Sequence, residues 1–80
     1  MMTVDEICNA LKLKIETQIS DAVAVITPGS GGHYRVDVQS ISLAALPMLK
    51  AHQAVYASIA DLMAGDAAPV HAIDHLSVHA

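Results

Sequence analysis

Ala22-Val23-Ala24-Val25-Ile26-Thr27-Pro28-Gly29-Ser30-Gly31-Gly32-His33-Tyr34-Arg35-Val36-Asp37-Val38-Gln39-Ser40 is the stretch that decides the fold. Val23, Val25, Ile26 and Thr27 are β-branched, and their stiff side chains suit a pleated strand better than a helix. The run ends at Pro28-Gly29-Ser30-Gly31-Gly32, a concentration of turn formers. From His33 to Ser40 the chain alternates, with Tyr34, Val36 and Val38 on one face and His33, Arg35, Asp37 and Gln39 on the other. A period of two describes a strand that is buried on one side and solvated on the other. Two such strands around a short turn make an antiparallel hairpin, and its apolar face needs a cover.

Helices on either side supply that cover. Thr3-Val4-Asp5-Glu6 has the form of a capping box, and Val4, Ile7, Cys8 and Leu11 follow at helical spacing, which predicts a helix over about residues 4–12. From Lys12 to Ser20 the pattern is ambiguous between an extended connection and frayed helix. Ser42 to Leu46 can form one helical turn. A longer helix is predicted to start near Pro47, which the first turn tolerates, and to stop at Gly65. Its apolar stripe reads as Leu49, Tyr56, Ile59 and Met63, joined by Val55 and Leu62. After the linker Asp66-Ala67-Ala68-Pro69, residues Val70 to Val78 read as a last strand with poor alternation.

Eighty residues make one domain, 1–80, with a single modest core. Apolar residues are 54% of the chain, which argues against disorder, and Tyr34 and Tyr56 are the only aromatics, so the core is aliphatic. The uncharged stretch Val38 to Leu49 is interrupted by Gln39, Ser40, Ser42 and Pro47 and is too short to span a bilayer. No basic region followed by an apolar run opens the chain, so the expectation is a soluble cytoplasmic protein without membrane association. The single cysteine, Cys8, excludes an internal disulfide and a Cys-rich zinc motif. A net charge of −4, with Lys12, Lys14, Arg35 and Lys50 scattered, counts against strong autonomous binding to nucleic acid. Five histidines outnumber the lysines and arginines combined.

Leu49-Lys50-Ala51-His52-Gln53-Ala54-Val55-Tyr56 resembles the "RHRxVY" helix start of the BolA family, and Ser58-Ile59-Ala60-Asp61-Leu62 continues it. Val70-His71-Ala72-Ile73 resembles the family signature "(V/I)HAL", and Gly32-His33-Tyr34-Arg35-Val36 is similar to its "S-H-F-x-V" entry to the second strand. The hairpin loop is closer to the "GDGSHF"-like loop of the acid-stress branch. There are departures. Leu43-Ala44-Ala45 stands where the family usually has Phe-x-Gly, and Ala51 and Gln53 replace the arginines that flank the helix histidine. The hairpin loop has no cysteine, and the closing Thr-Pro-x-x-Trp segment is not among the 80 residues.

The resemblance implies an α+β domain of order αββααβ, akin to the class II KH fold, with a three-stranded mixed sheet packed against helices. It implies a non-enzymatic adaptor that pairs with a monothiol glutaredoxin and shares a [2Fe-2S] cluster, in iron–sulfur trafficking or regulation. Some members are described as DNA-binding transcriptional or stress regulators, which makes DNA the alternative partner.

His71 corresponds to the family's cluster ligand, and imidazole is a competent ligand in [2Fe-2S] centres. The competing reading is a histidine kept for packing. His33 is the only residue at the hairpin loop that can stand for the family's second ligand, a Cys or His; an exposed strand histidine is the alternative. For the nucleic-acid reading the candidates are Lys50, His52, Gly31 and Gly32. Gly29-Ser30-Gly31-Gly32 spells the G-x-x-G of KH domains, but lies between strands, with no aromatic platform or basic cluster. His52 sits at the edge of the helix stripe, where a structural role is expected. His75 and His79, if on a strand, share a face but lie about 13 Å apart, too far to hold one metal ion. Cys8 is expected to be a small buried apolar group. No Ser-His-Asp or Cys-His set falls in a catalytic motif.

Overall fold

The computed structural model describes residues 2–80. The first helix, α1 (Val4–Gln18), begins at the capping box: the Thr3 hydroxyl accepts from the Glu6 N–H at 3.1 Å, and the Thr3 N–H donates to the Glu6 carboxylate at 2.8 Å. Helix starts leave backbone donors unpaired, and this exchange satisfies two of them. The helix runs on to Gln18 rather than ending near residue 12. Ile7, Leu11 and Ile15 keep a helical spacing into the core, while Lys12 reaches Glu16 at 2.6 Å on the outer face. Exposed Leu13 is the residue that obscures this period in the sequence.

Strands β1 (Val23–Pro28) and β2 (His33–Gln39) pair antiparallel from Val23↔Gln39 to Pro28↔Tyr34. The turn closes through the Gly29 N–H to the His33 carbonyl at 2.8 Å, with Gly31 and Gly32 at φ 65° and 80°. Positive φ is strained for residues carrying a Cβ, so glycine fits both positions. Tyr34, Val36 and Val38 are buried, as the alternation predicts. Helix α1 ties the free edge of β1 at Ala24, which donates its N–H to the Glu16 carboxylate at 2.9 Å and accepts at its carbonyl from Lys12 Nζ at 2.8 Å. Unpaired edge groups invite association with other chains, and here two of them are occupied.

Ser40 leaves the strand to cap the short helix α2 (Ile41–Ala44). Its hydroxyl accepts from the Leu43 N–H and donates to Asp21, which also accepts from the Ser42 backbone and hydroxyl, both at 2.8 Å. These bonds hold the Asp21 carboxyl down to about 2, the Ser40 hydroxyl contributing most.

Helix α3 (Met48–Met63) starts after Pro47 and is followed by Gly65 at φ 85°. Its buried face is Ala51, Val55, Ser58 and Ile59, with Leu62 half-buried. The stripe is therefore rotated from the one predicted: Leu49 is 68% exposed and Tyr56 39%. The buried face includes the small residues Ala51 and Ser58, which a count of large apolar residues does not register. Ser58 satisfies its hydroxyl by donating to the Val55 carbonyl at 2.6 Å.

Strand β3 (Ala72–His79) adds parallel to β2, giving the order β1-β2-β3 and a mixed sheet. It starts after Val70 rather than at it. Val70 is buried and donates its N–H to the Leu62 carbonyl at 3.1 Å, so it anchors the linker to α3 before the ladder begins. Between Tyr34↔Ile73 and Arg35↔His75 the register slips by one residue at Asp74, which explains the poor alternation of this segment. On the open face Ser77 donates to Asp37, which also accepts from Arg35 at 3.1 Å. The core is one aliphatic cluster under the sheet, centred on Leu11, Ile15, Val36, Val38, Val55 and Ile59.

Candidate functional site

Because β3 is parallel to β2, the starts of the two strands lie side by side, and His33 stands opposite Ala72. His71 immediately precedes this pair. Its N–H donates to the Gly32 carbonyl at 2.8 Å, and the Ala72 N–H approaches the same oxygen at 3.4 Å. The His71 ring lies against Gly32, where a Cβ would fall 3.0 Å from Cγ and Nδ1. The tight hairpin, its backbone bond to the last strand and a glycine under the ring thus bring His71 to the residue next to His33. Linear spacing left that proximity open.

His71 is exposed and borders an apolar cleft of about 500 Å³ lined by Val4, Ile7, Tyr34, Ala68 and Pro69. His33 is partly exposed on the open side of the sheet, with Nδ1 2.8 Å from Asp74 Oδ1. Asp74 was not singled out in the sequence; the broken alternation of Val70 to Val78 was the available signal, since a bulge re-aims one side chain.

The other candidates lie elsewhere. Gly31 and Gly32 form the hairpin turn, whereas Lys50 and His52 belong to the first turns of α3, and His52 lines a shallow cleft with Leu43, Leu46, Met48 and Val78. Val78 is near the far end of β3, so the structure does not bring the four nucleic-acid candidates onto one surface. His75 and His79 stand opposite Arg35 and Gln39, on one face of β3 and four residues apart. Cys8 is half-buried against the core, and its thiol is raised first by burial and then by the charge of Asp5. A thiol pushed upward is a weaker nucleophile and ligand at neutral pH. Among the described residues, no three His, Cys, Asp or Glu side chains are grouped to hold a metal ion.

A helix, a hairpin, two helices and a last strand parallel to the hairpin's second strand define a small α+β domain of order αββααβ. The chain belongs to the BolA-like protein family, whose model matches residues 5–78. Among solved structures it is similar to a BolA protein homologue from Coxiella burnetii, at 25% identity and a TM-score of 0.71, covering 99% of this chain and 91% of that one. It is also similar to BolA1 from Arabidopsis thaliana, at 18% identity and a TM-score of 0.69, covering 90% of this chain and 89% of that one, which speaks to the fold. No curated protein matches the chain. Among the described residues, no helix is long and apolar enough to cross a membrane.

The [2Fe-2S] cluster that the resemblance implies would need ligand donors from this end of the sheet. His71 and His33 offer two imidazoles at one end of the sheet, a ligand type that replaces thiolate in some [2Fe-2S] centres. Two imidazoles would fill only part of such a cluster's ligand shell, and the remaining ligands would have to come from another molecule.

Proposed function

We propose that this protein is a non-enzymatic adaptor that binds a monothiol glutaredoxin and co-ligates a [2Fe-2S] cluster through His71, with His33 as second ligand. The observation that carries the reading is the junction of Gly32, His33 and His71, tied by the 2.8 Å bond from the His71 N–H to the Gly32 carbonyl. Membership of the BolA-like family supports it. The partner's active-site cysteine and glutathione would complete the ligand shell, so the hairpin needs no cysteine of its own.

In this reading the chain's contribution is orientation. The backbone bond and the packing on Gly32 restrict His71, which lowers the ordering cost of ligation. The apolar cleft beside His71 gives a partner a surface to desolvate next to the ligand. When bound, the cluster supplies a redox-active, transferable iron–sulfur unit.

Mixing the protein with a cluster-loaded monothiol glutaredoxin is expected to change the visible absorption and circular dichroism spectra, and His71→Ala is expected to remove most of that change. A full response from His71→Ala would sink the ligand assignment.

A further inference from the structure

The slip in β3 places a carboxylate where it acts on His33. Tyr34 faces Ile73 and Arg35 faces His75, so Asp74 has no counterpart in β2. A residue added to one strand turns out of the regular alternation. The Asp74 carboxylate accordingly crosses to the neighbouring strand and meets His33 Nδ1 at 2.8 Å. The guanidinium next to His33 does not compete for it: Arg35 is paired with Asp37 at 3.1 Å.

An ionised carboxylate only accepts hydrogen bonds, so Nδ1 must carry a proton when this bond is made. In a neutral imidazole the other nitrogen then holds the lone pair. Carboxylates hold metal-binding histidines in the same way, fixing both tautomer and ring direction.

We propose that Asp74 is a positioning residue for His33: it holds the proton on Nδ1 and leaves Nε2 as the nitrogen free to donate to a metal. The proposal rests on the reading of His33 as a cluster ligand, and it adds which atom would serve and what aims it. Both side chains are substantially exposed, at 45% and 62%. Water therefore competes with the bond, and its effect falls on ring orientation rather than on stability.

The test uses the ¹⁵N-labelled full chain by itself at pH 8, where an ordinary imidazole is neutral. Long-range ¹H–¹⁵N spectra report which ring nitrogen is protonated. His33 is expected mainly as the Nδ1–H form in the unmodified protein and mainly as Nε2–H in Asp74→Ala. Asp74→Asn, whose amide oxygen can accept the same bond, is expected to keep the Nδ1–H form. A His33 protonated mainly on Nε2 in the unmodified protein, or a pattern unmoved by Asp74→Ala, would overturn the assignment. Neither cluster nor partner is needed for this result. If His33→Ala instead leaves the spectra of the glutaredoxin mixture unchanged, His33 is not a ligand, and Asp74 loses its role toward the cluster whatever the tautomer.

Discussion

The imidazole of His71 rests on the α-carbon of Gly32, so close that a single added methyl group would stand 3.0 Å from two ring atoms. The contact joins the hairpin to the last strand and leaves the ring a restricted set of positions. Neither the glycine nor the histidine sets the candidate site by itself.

Gly32→Ala should therefore have two effects. Its backbone sits at φ 80°, and a side chain there costs about 1–2 kcal/mol of stability. The new methyl also displaces the His71 ring. Gly31→Ala is the control, since φ is 65° there and no atom beyond the adjacent residues lies within 4 Å of the added carbon. Urea denaturation should show a similar loss for both variants, whereas only Gly32→Ala should shift the His71 ring resonances and weaken the spectral response to loaded glutaredoxin.

The corrected face of α3 separates two leucine-sized substitutions. Ile59 is fully buried, so Ile59→Ala should cost about 2–5 kcal/mol. Leu49, 68% exposed, should tolerate alanine within about 0.5 kcal/mol. Equal losses in denaturant melts would contradict the helix orientation.

Glu16 joins α1 to the edge of β1 by accepting from the Ala24 N–H and from Lys12. Glu16→Ala removes both bonds and should destabilise the fold by about 1 kcal/mol. Hydrogen exchange at Ala24 should speed up correspondingly, while Glu16→Gln, which keeps an acceptor oxygen, should retain part of the protection.

Asp21 provides an acid-sensitive joint. Its carboxyl titrates at about 2 in the folded protein, below its ordinary 3.8. The folded state therefore binds this proton less readily than the unfolded one, and the stability contributed by Asp21 is fully present above pH 3.8 and lost as pH falls toward about 2. Denaturant midpoints measured across that window should fall less steeply for Asp21→Asn than for the unmodified protein. An NMR titration placing the Asp21 carboxyl at its ordinary value would remove the basis for this expectation.

Local pattern was enough for much of this. Alternation from His33 to Gln39 identified the central strand and its buried face, because a pleated strand repeats every two residues whatever surrounds it. The Thr3–Glu6 box and the glycines of the turn are likewise short-range chemistry, complete within a few residues. The family motif around Val70-His71-Ala72 is legible on the same scale.

The packing was not. Leu49 and Tyr56 look like core residues until packing against α1 and the sheet selects the Ala51–Val55–Ile59 side of α3. The last strand loses Val70 to a contact with Leu62 and gains a bulge at Asp74, both set by partners distant in sequence. His33 and His71 are 38 positions apart (71 − 33), and no periodicity links them. Their proximity comes from the parallel pairing of β2 and β3, a long-range arrangement stabilised by burial of the shared apolar face, and burial is decided by the folded chain as a whole.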